Sequence, residues 1–126
     1  MRVLVIAEHN NTDLNYATRS ALSAALHLGS HVDVLVAGGD CQTVADQAAH
    51  LDGVSRVLLA NSDLYKYRLA ENMAMLITSL VHNYDAVLAA STTSSKDFMP
   101  RVAALLDVMQ ISDIVAIDNA DIFTRS

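Results

Sequence analysis

The sequence has few of the residues that mark small disulfide-bonded or low-complexity proteins: its 126 residues include one cysteine, one proline and four glycines. A single cysteine, Cys41, cannot form an internal disulfide, which fits a reducing compartment. Its neighbours Asp40 and Gln42 supply no positive charge that would stabilise a thiolate, so Cys41 is expected to be unreactive. With 52% apolar residues and so little glycine and proline, the composition indicates a globular chain, which excludes collagen-like and disordered classes.

Basic residues and long apolar runs are also scarce. Eight lysines and arginines stand against fourteen aspartates and glutamates, giving a formal net charge of −6. Nucleic-acid binders need clustered cations, and Lys66 with Arg68 is the nearest approach to a cluster. The first apolar run, 3–7, stops at Glu8, which is too short for a bilayer and unlike a secretory signal. The sequence predicts no nucleic-acid partner, no membrane insertion and a bacterial cytoplasmic location.

Motifs of the common catalytic and nucleotide-binding sites are missing. Neither G-x-x-x-x-G-K-[ST] nor G-x-G-x-x-G occurs, and there is no G-x-S-x-G nucleophile elbow. The five histidines have no CxxC beside them, so a zinc site is not expected. Glu8 and Asp13 are a pair of nearby carboxylates, but nothing in the sequence fixes their separation. The chain is therefore predicted not to be an enzyme.

Short β-branched runs alternate with longer stretches of helical period, which is typical of βαβ units. Strands are predicted over 3–7, 32–37, 57–60, 86–90 and 111–117. Helices are predicted from the apolar positions of 14–26, 44–49 and 69–80, and over 100–108 with Pro100 in the first turn. Gly29 is expected to end the first helix.

These strands are almost continuously apolar, as expected when helices cover both faces of a sheet. The predicted fold is a single α/β domain over residues 1–126, a three-layer open parallel sheet of about five strands. Residues 122–125 look like the start of another strand, which suggests that the sequence is a fragment. An unpaired strand edge there also favours a homodimer of the isolated domain.

Two polar loops are predicted to face each other at the carboxyl ends of the first and fourth strands, where open α/β sheets bind ligands. One loop is 8–12 and the other is 91–97, which has consecutive hydroxyl residues before a lysine and a helix. Backbone N–H groups at a helix start attract anions. The candidate anion or nucleotide crevice comprises Asn10, Ser91, Thr92, Thr93, Ser95 and Lys96. The alternative is that these hydroxyls only cap the helix.

The run TTSSKDFMPRVAALLDV at 92–108, followed by QISDI at 110–114, resembles the N-terminal domain of the electron-transfer flavoprotein alpha subunit. ATRSAL at 17–22, HVDVLVAG at 31–38, GVSRVLL at 53–59 and LAEN at 69–72 resemble further parts of that domain. The similarity covers essentially the whole chain. One position departs from the family pattern, because Ser95 stands where the family usually has glycine before the lysine.

The resemblance implies an adenine-nucleotide-hydrolase-like fold and a part in an electron carrier. In that family the alpha subunit pairs with a beta subunit, and the heterodimer holds one FAD. It passes electrons from acyl-CoA and other dehydrogenases, as in fatty acid β-oxidation, to the respiratory chain. The C-terminal domain of the alpha subunit holds the FAD, so no FAD is expected on residues 1–126. A eukaryotic member would lie in the mitochondrial matrix.

Two other functions stay open from the residues. The chain could be a free-standing adenine-nucleotide-binding module that uses the facing loops. It could instead be a small hydrolase of adenine nucleotides, but that class carries a Gly-Ser-rich loop after its first strand, which 8–11 does not supply.

Overall fold

The computed structural model of the chain describes residues 1–90, 92–109 and 115–117. In this part of the chain five parallel strands form one sheet, namely β1 (Arg2–Ile6), β2 (His31–Gly38), β3 (Arg56–Asn61), β4 (Ala86–Ala89) and β5 (Val115–Ile117). Their order across the sheet is β3-β2-β1-β4-β5. The predicted α/β class and parallel sheet are confirmed.

Within the described residues four α-helices cover the sheet, namely α1 (Ala17–Leu28), α2 (Gln42–Ala49), α3 (Ala70–Leu80) and α4 (Thr93–Val108). Alternate strand side chains point to opposite faces, which divides the core in two. Val3 and Val5 of β1 pack with α1 and α2, whereas Leu4 and Ile6 pack with α3 and α4. Both faces are therefore apolar, which explains the continuous apolar strands in the sequence.

The start of α4 differs from the prediction. The helix begins at Thr93 and includes Pro100 in its interior, whereas the sequence placed Pro100 in the first turn. Thr92 and Ser95 form a reciprocal cap, so the helix can begin before the proline. Proline has no backbone N–H, so the interior of this helix has one hydrogen-bond donor fewer.

Three other expectations concern the end of α1 and the last two predicted strands. Gly29 ends α1 as predicted, but in an extended conformation with φ −158°. A side chain there would collide with the backbone of Met1, so the close approach of the chain requires glycine. The strand predicted over 111–117 is present at Val115–Ile117. Residues 111–114 and the strand start predicted at 122–125 lie outside the described residues.

A carboxylate is buried near the amino ends of the strands. Oδ2 of Asp33 accepts hydrogen bonds from the Tyr84 hydroxyl at 2.6 Å and from Arg56 Nη2 at 3.0 Å, and its Oδ1 lies 3.1 Å from His31 Nε2. Burial favours a raised pKa for Asp33, but the hydrogen bonds from Tyr84 and Arg56 and the contact with His31 outweigh it, and the pKa lies below its ordinary value. Burial and the Asp33 carboxylate raise the pKa of Tyr84 to about 12. The cluster joins β2 to β3 and to the segment before β4.

Candidate functional site

The order of the strands reverses between β1 and β4, and the loops that follow these two strands meet at the carboxyl edge of the sheet. This is the place where open α/β sheets bind ligands. Thr92 Oγ1 donates a hydrogen bond of 3.0 Å to Glu8 Oε2 across the gap. The backbone of Glu8 is held in turn by Thr18 of α1, whose Oγ1 accepts from the Glu8 N–H at 2.9 Å. The predicted meeting of the two loops therefore occurs.

Besides Thr92 and Thr18, a buried arginine also contacts Glu8. The Arg68 side chain is 7% exposed, and its Nη1 lies 3.0 Å from Glu8 Oε1. The two groups form an ion pair without a hydrogen bond, because the Nη1 geometry does not meet that of a hydrogen bond. Arg68 Nη2 donates to the Ala7 carbonyl at 3.0 Å, and the guanidinium lies 6.0 Å from the centre of the Phe98 ring. The backbone of Arg68 is left-handed, with φ 52°, so the turn before α3 holds the side chain toward the sheet edge.

The hydroxyls at the start of α4 are engaged with the helix itself. Thr92 Oγ1 accepts from the Ser95 N–H at 3.2 Å, and Ser95 Oγ accepts from the Thr92 N–H at 2.9 Å. Ser95 Oγ also donates to the Ala90 carbonyl. The N–H of Lys96 bonds to the Thr92 carbonyl at 3.0 Å. These contacts match the capping alternative for this segment.

The structure describes the side chains of four of the six predicted crevice residues, and these four do not all lie at the crevice. Thr92 and Ser95 lie at the crevice, while the side chain of Lys96 is exposed. Asn10 is exposed and its Oδ1 accepts from the N–H groups of Thr12 and Asp13, so it shapes its own loop. Ser91 and the side chain of Thr93 lie outside the described residues. A bound anion or nucleotide at these residues stays a prediction.

A second set of contacts fixes the loop after β1, and sequence analysis missed it. His9 is buried; its Nδ1 accepts from the Asn11 N–H at 2.9 Å, so Nε2 carries the proton and donates to the Ala37 carbonyl at 2.8 Å. Asn11, with φ 72°, donates from Nδ2 to the Lys66 carbonyl at 2.9 Å and accepts from the Gly39 N–H at 3.0 Å. Burial and then the Arg68 charge lower the pKa of His9. The loops after β1, β2 and β3 are therefore tied together.

Other potentially reactive or metal-binding side chains lie away from the crevice. Cys41 is buried, and burial raises the pKa of its thiol, as expected of an unreactive cysteine. His27 and His31 are four residues apart but lie in α1 and β2. Within residues 1–90, 92–109 and 115–117, no three His, Cys, Asp or Glu side chains are placed to hold a metal. No helix of the described residues has the length and apolar character needed to cross a membrane.

A surface groove of about 580 Å³ lies between α1 and α2. Tyr16, Arg19, Asp46 and Gln47 are among the residues that line it. Of the predicted crevice residues whose side chains the structure describes, none lines this groove, which lies on the helical face instead of the sheet edge.

Comparison with known proteins gives a consistent family. A model of the family described as "Electron transfer flavoprotein domain" matches residues 3–126. The electron transfer flavoprotein subunit alpha of Pseudomonas aeruginosa is 51% identical over 99% of this chain, and that of Paracoccus denitrificans is 48% identical over 99%. The probable mitochondrial alpha subunit of Caenorhabditis elegans is 42% identical over 98%. The chain spans 40%, 41% and 38% of the lengths of these relatives.

The match covers the same residues that carried the sequence resemblance, and it extends over both halves of the sheet. The chain therefore belongs to the electron transfer flavoprotein family and corresponds to the N-terminal domain of its alpha subunits.

Proposed function

We propose that this chain acts as a non-catalytic scaffold domain of an electron carrier. In this proposal it packs against a beta subunit, and the assembled heterodimer holds one FAD and passes electrons from acyl-CoA or other dehydrogenases to the respiratory chain. Within that assembly, residues 1–126 bind no FAD. The proposed location is the cytoplasm of a bacterium, or the mitochondrial matrix in a eukaryote.

The observation that carries this proposal is the filled crevice between β1 and β4. The carboxylate of Glu8 lies where a phosphate would approach the start of α4, and Thr92 and Arg68 already contact it. A dinucleotide at this edge would need to displace a paired, largely buried side chain. The residues present do not fit FAD at this edge, which supports a structural role for the domain.

The groups that could do chemistry at this edge are also engaged. Both ring nitrogens of His9 hold backbone groups, and Glu8 is paired with Arg68. Cys41 is buried with a raised thiol pKa. A general base or nucleophile needs free access to its substrate. These contacts support the proposal that the domain contributes structure to the carrier instead of catalysis.

The test is to purify residues 1–126 alone and together with an electron transfer flavoprotein beta subunit. The domain alone is expected to be colourless, and size-exclusion chromatography of the mixture is expected to give a complex of the two chains. Stoichiometric flavin absorption from residues 1–126 alone would overturn the assignment of FAD to other parts of the heterodimer. Failure of the two folded chains to associate would overturn the scaffold role.

A second function keeps support from one observation, the strand order β3-β2-β1-β4-β5, which creates a switch point of the kind that binds nucleotides. In this alternative the chain is an adenine-nucleotide-binding module. Calorimetric titration with AMP and ATP separates the two proposals. Micromolar binding that Lys96→Ala abolishes would favour the module, and no binding heat would favour the scaffold.

A further inference from the structure

We infer that the start of α4 is an oxyanion site whose anion is the chain's own Glu8 carboxylate, so that the site accepts a free small oxyanion only when Glu8 is removed. The ligand class is a carboxylate or phosphate that presents two oxygens to Arg68 and Thr92. This inference concerns the chemistry of the crevice and goes beyond the scaffold role.

The first support is the burial of a cation at the sheet edge. The Arg68 side chain is more than nine-tenths buried, with 7% exposed, and within the described residues its Nε and Nη1 have no hydrogen-bond acceptor. A buried guanidinium is costly unless a counter-charge is close. Glu8 Oε1, 3.0 Å from Nη1, supplies that charge. Arg68 is therefore directed at the position that the carboxylate occupies.

The second support comes from α4. This helix has 16 residues, and the amino end of such a helix attracts negative charge. Its first turn contains no acidic residue. The anion comes from across the crevice, because Glu8 is separated by 84 positions from Thr92, whose hydroxyl donates to Oε2 at 3.0 Å. The helix thus receives its negative charge from a different loop.

The arrangement favours an oxyanion because one cation and one hydroxyl donor contact the two oxygens of a single group. Arg68 contacts Oε1 and Thr92 contacts Oε2, so the pair spans one carboxylate. Acetate reproduces this pair of oxygens, and phosphate presents a similar pair. Because Glu8 is covalently part of the chain, it is always at high local concentration and excludes such ligands from the wild-type site.

The experiment is chemical rescue of Glu8→Ala. The thermal midpoint of this variant is measured in chloride, in acetate and in phosphate at matched ionic strength. At an anion concentration ten times Kd, mass action predicts a rise of about 5 °C over chloride. The wild type is expected to gain no more than the matched control Glu8→Gln, in which a neutral side chain of the same size still fills the site. Adding Arg68→Gln to Glu8→Ala is expected to abolish the rise.

Comparing the two anions shows which class of oxyanion the site binds. A rise in acetate alone supports a site shaped for carboxylates, and a rise in phosphate supports one that also takes phosphate. No rise over chloride in either anion overturns the inference, as does an equal rise in Glu8→Gln or in the wild type. If Glu8→Ala is unfolded in chloride, recovery of its far-UV circular dichroism in acetate or phosphate is the readout, and no recovery overturns the inference.

Discussion

The hydrogen bond between Tyr84 and Asp33 allows a direct test of how much a buried polar cluster contributes to this fold. Tyr84→Phe removes the hydroxyl that donates a hydrogen bond of 2.6 Å to Asp33 Oδ2, while the aromatic ring still fills the same space. Hydrogen bonds to a charged group contribute about 1.5–3 kcal/mol. Asp33 keeps Arg56 at 3.0 Å on the same oxygen, so it is not left unpaired. We therefore expect a loss of about 2 kcal/mol in the free energy of unfolding.

Urea denaturation followed by circular dichroism near neutral pH measures this loss as a lower midpoint with an unchanged slope. The matched control is Tyr67→Phe, because Tyr67 is 77% exposed and its substitution is expected to change stability by less than about 0.5 kcal/mol. A loss in Tyr84→Phe no larger than in Tyr67→Phe would falsify the assignment of stability to this bond.

The pH dependence gives an independent check of the same reasoning. The pKa of Asp33 is lower in the folded chain than its ordinary value of 3.8, so the folded state binds fewer protons at this group. Its contribution is present above the ordinary value and is lost as the pH falls through the lowered pKa. The difference between wild type and Tyr84→Phe should therefore shrink on acidification. A difference that stays constant below the ordinary value would contradict the charged character of the bond.

Three further outcomes are expected. The pKa of His9 is lowered in the folded chain, so the fold is more stable with a neutral His9. The free energy of unfolding of the wild type should therefore fall as the pH drops below 6.5, and it should fall by more than that of His9→Gln. Equal falls in urea denaturation would contradict this. Cys41, which is fully buried, should react with a thiol reagent at a rate limited by unfolding, and labelling as fast in buffer as in urea would refute its burial. Gly53 has φ +91° and faces Leu26, so Gly53→Ala should cost about 2 kcal/mol in urea denaturation, whereas a neutral substitution would show that the turn adapts.

Much of the sheet could be predicted because its signals are local. Each strand is a short β-branched or apolar run, and its length and flanking turn residues separate it from the longer neighbouring helix. The start of α4 was harder to predict from the sequence. Pro100 is a strong local signal for a first turn, but the cap that begins the helix is formed by Thr92 and Ser95, in which serine takes the place of the usual glutamate or glutamine.

The contacts at the crevice could not be predicted because they join distant parts of the chain. Glu8 and Arg68 carry opposite charges, but only the left-handed turn at Arg68 directs its side chain to the sheet edge. Asn11 could have been noticed, since asparagine tolerates a left-handed backbone. Asp33 also left a signal, as a charged residue inside an otherwise apolar strand. Its partners still required the parallel register of β2 with β3.

The central position of β1 has a consequence for how the chain is made on the ribosome. Val3 pairs with Val32 on one edge and with Ala86 on the other. At typical synthesis rates the second partner emerges roughly 4–17 s after the first strand residue. During that interval β1, β2 and β3 can assemble with α1 and α2, while the edge of β1 that pairs with β4 stays unpaired. We therefore expect the nascent chain to depend on chaperones most strongly just before β4 is translated.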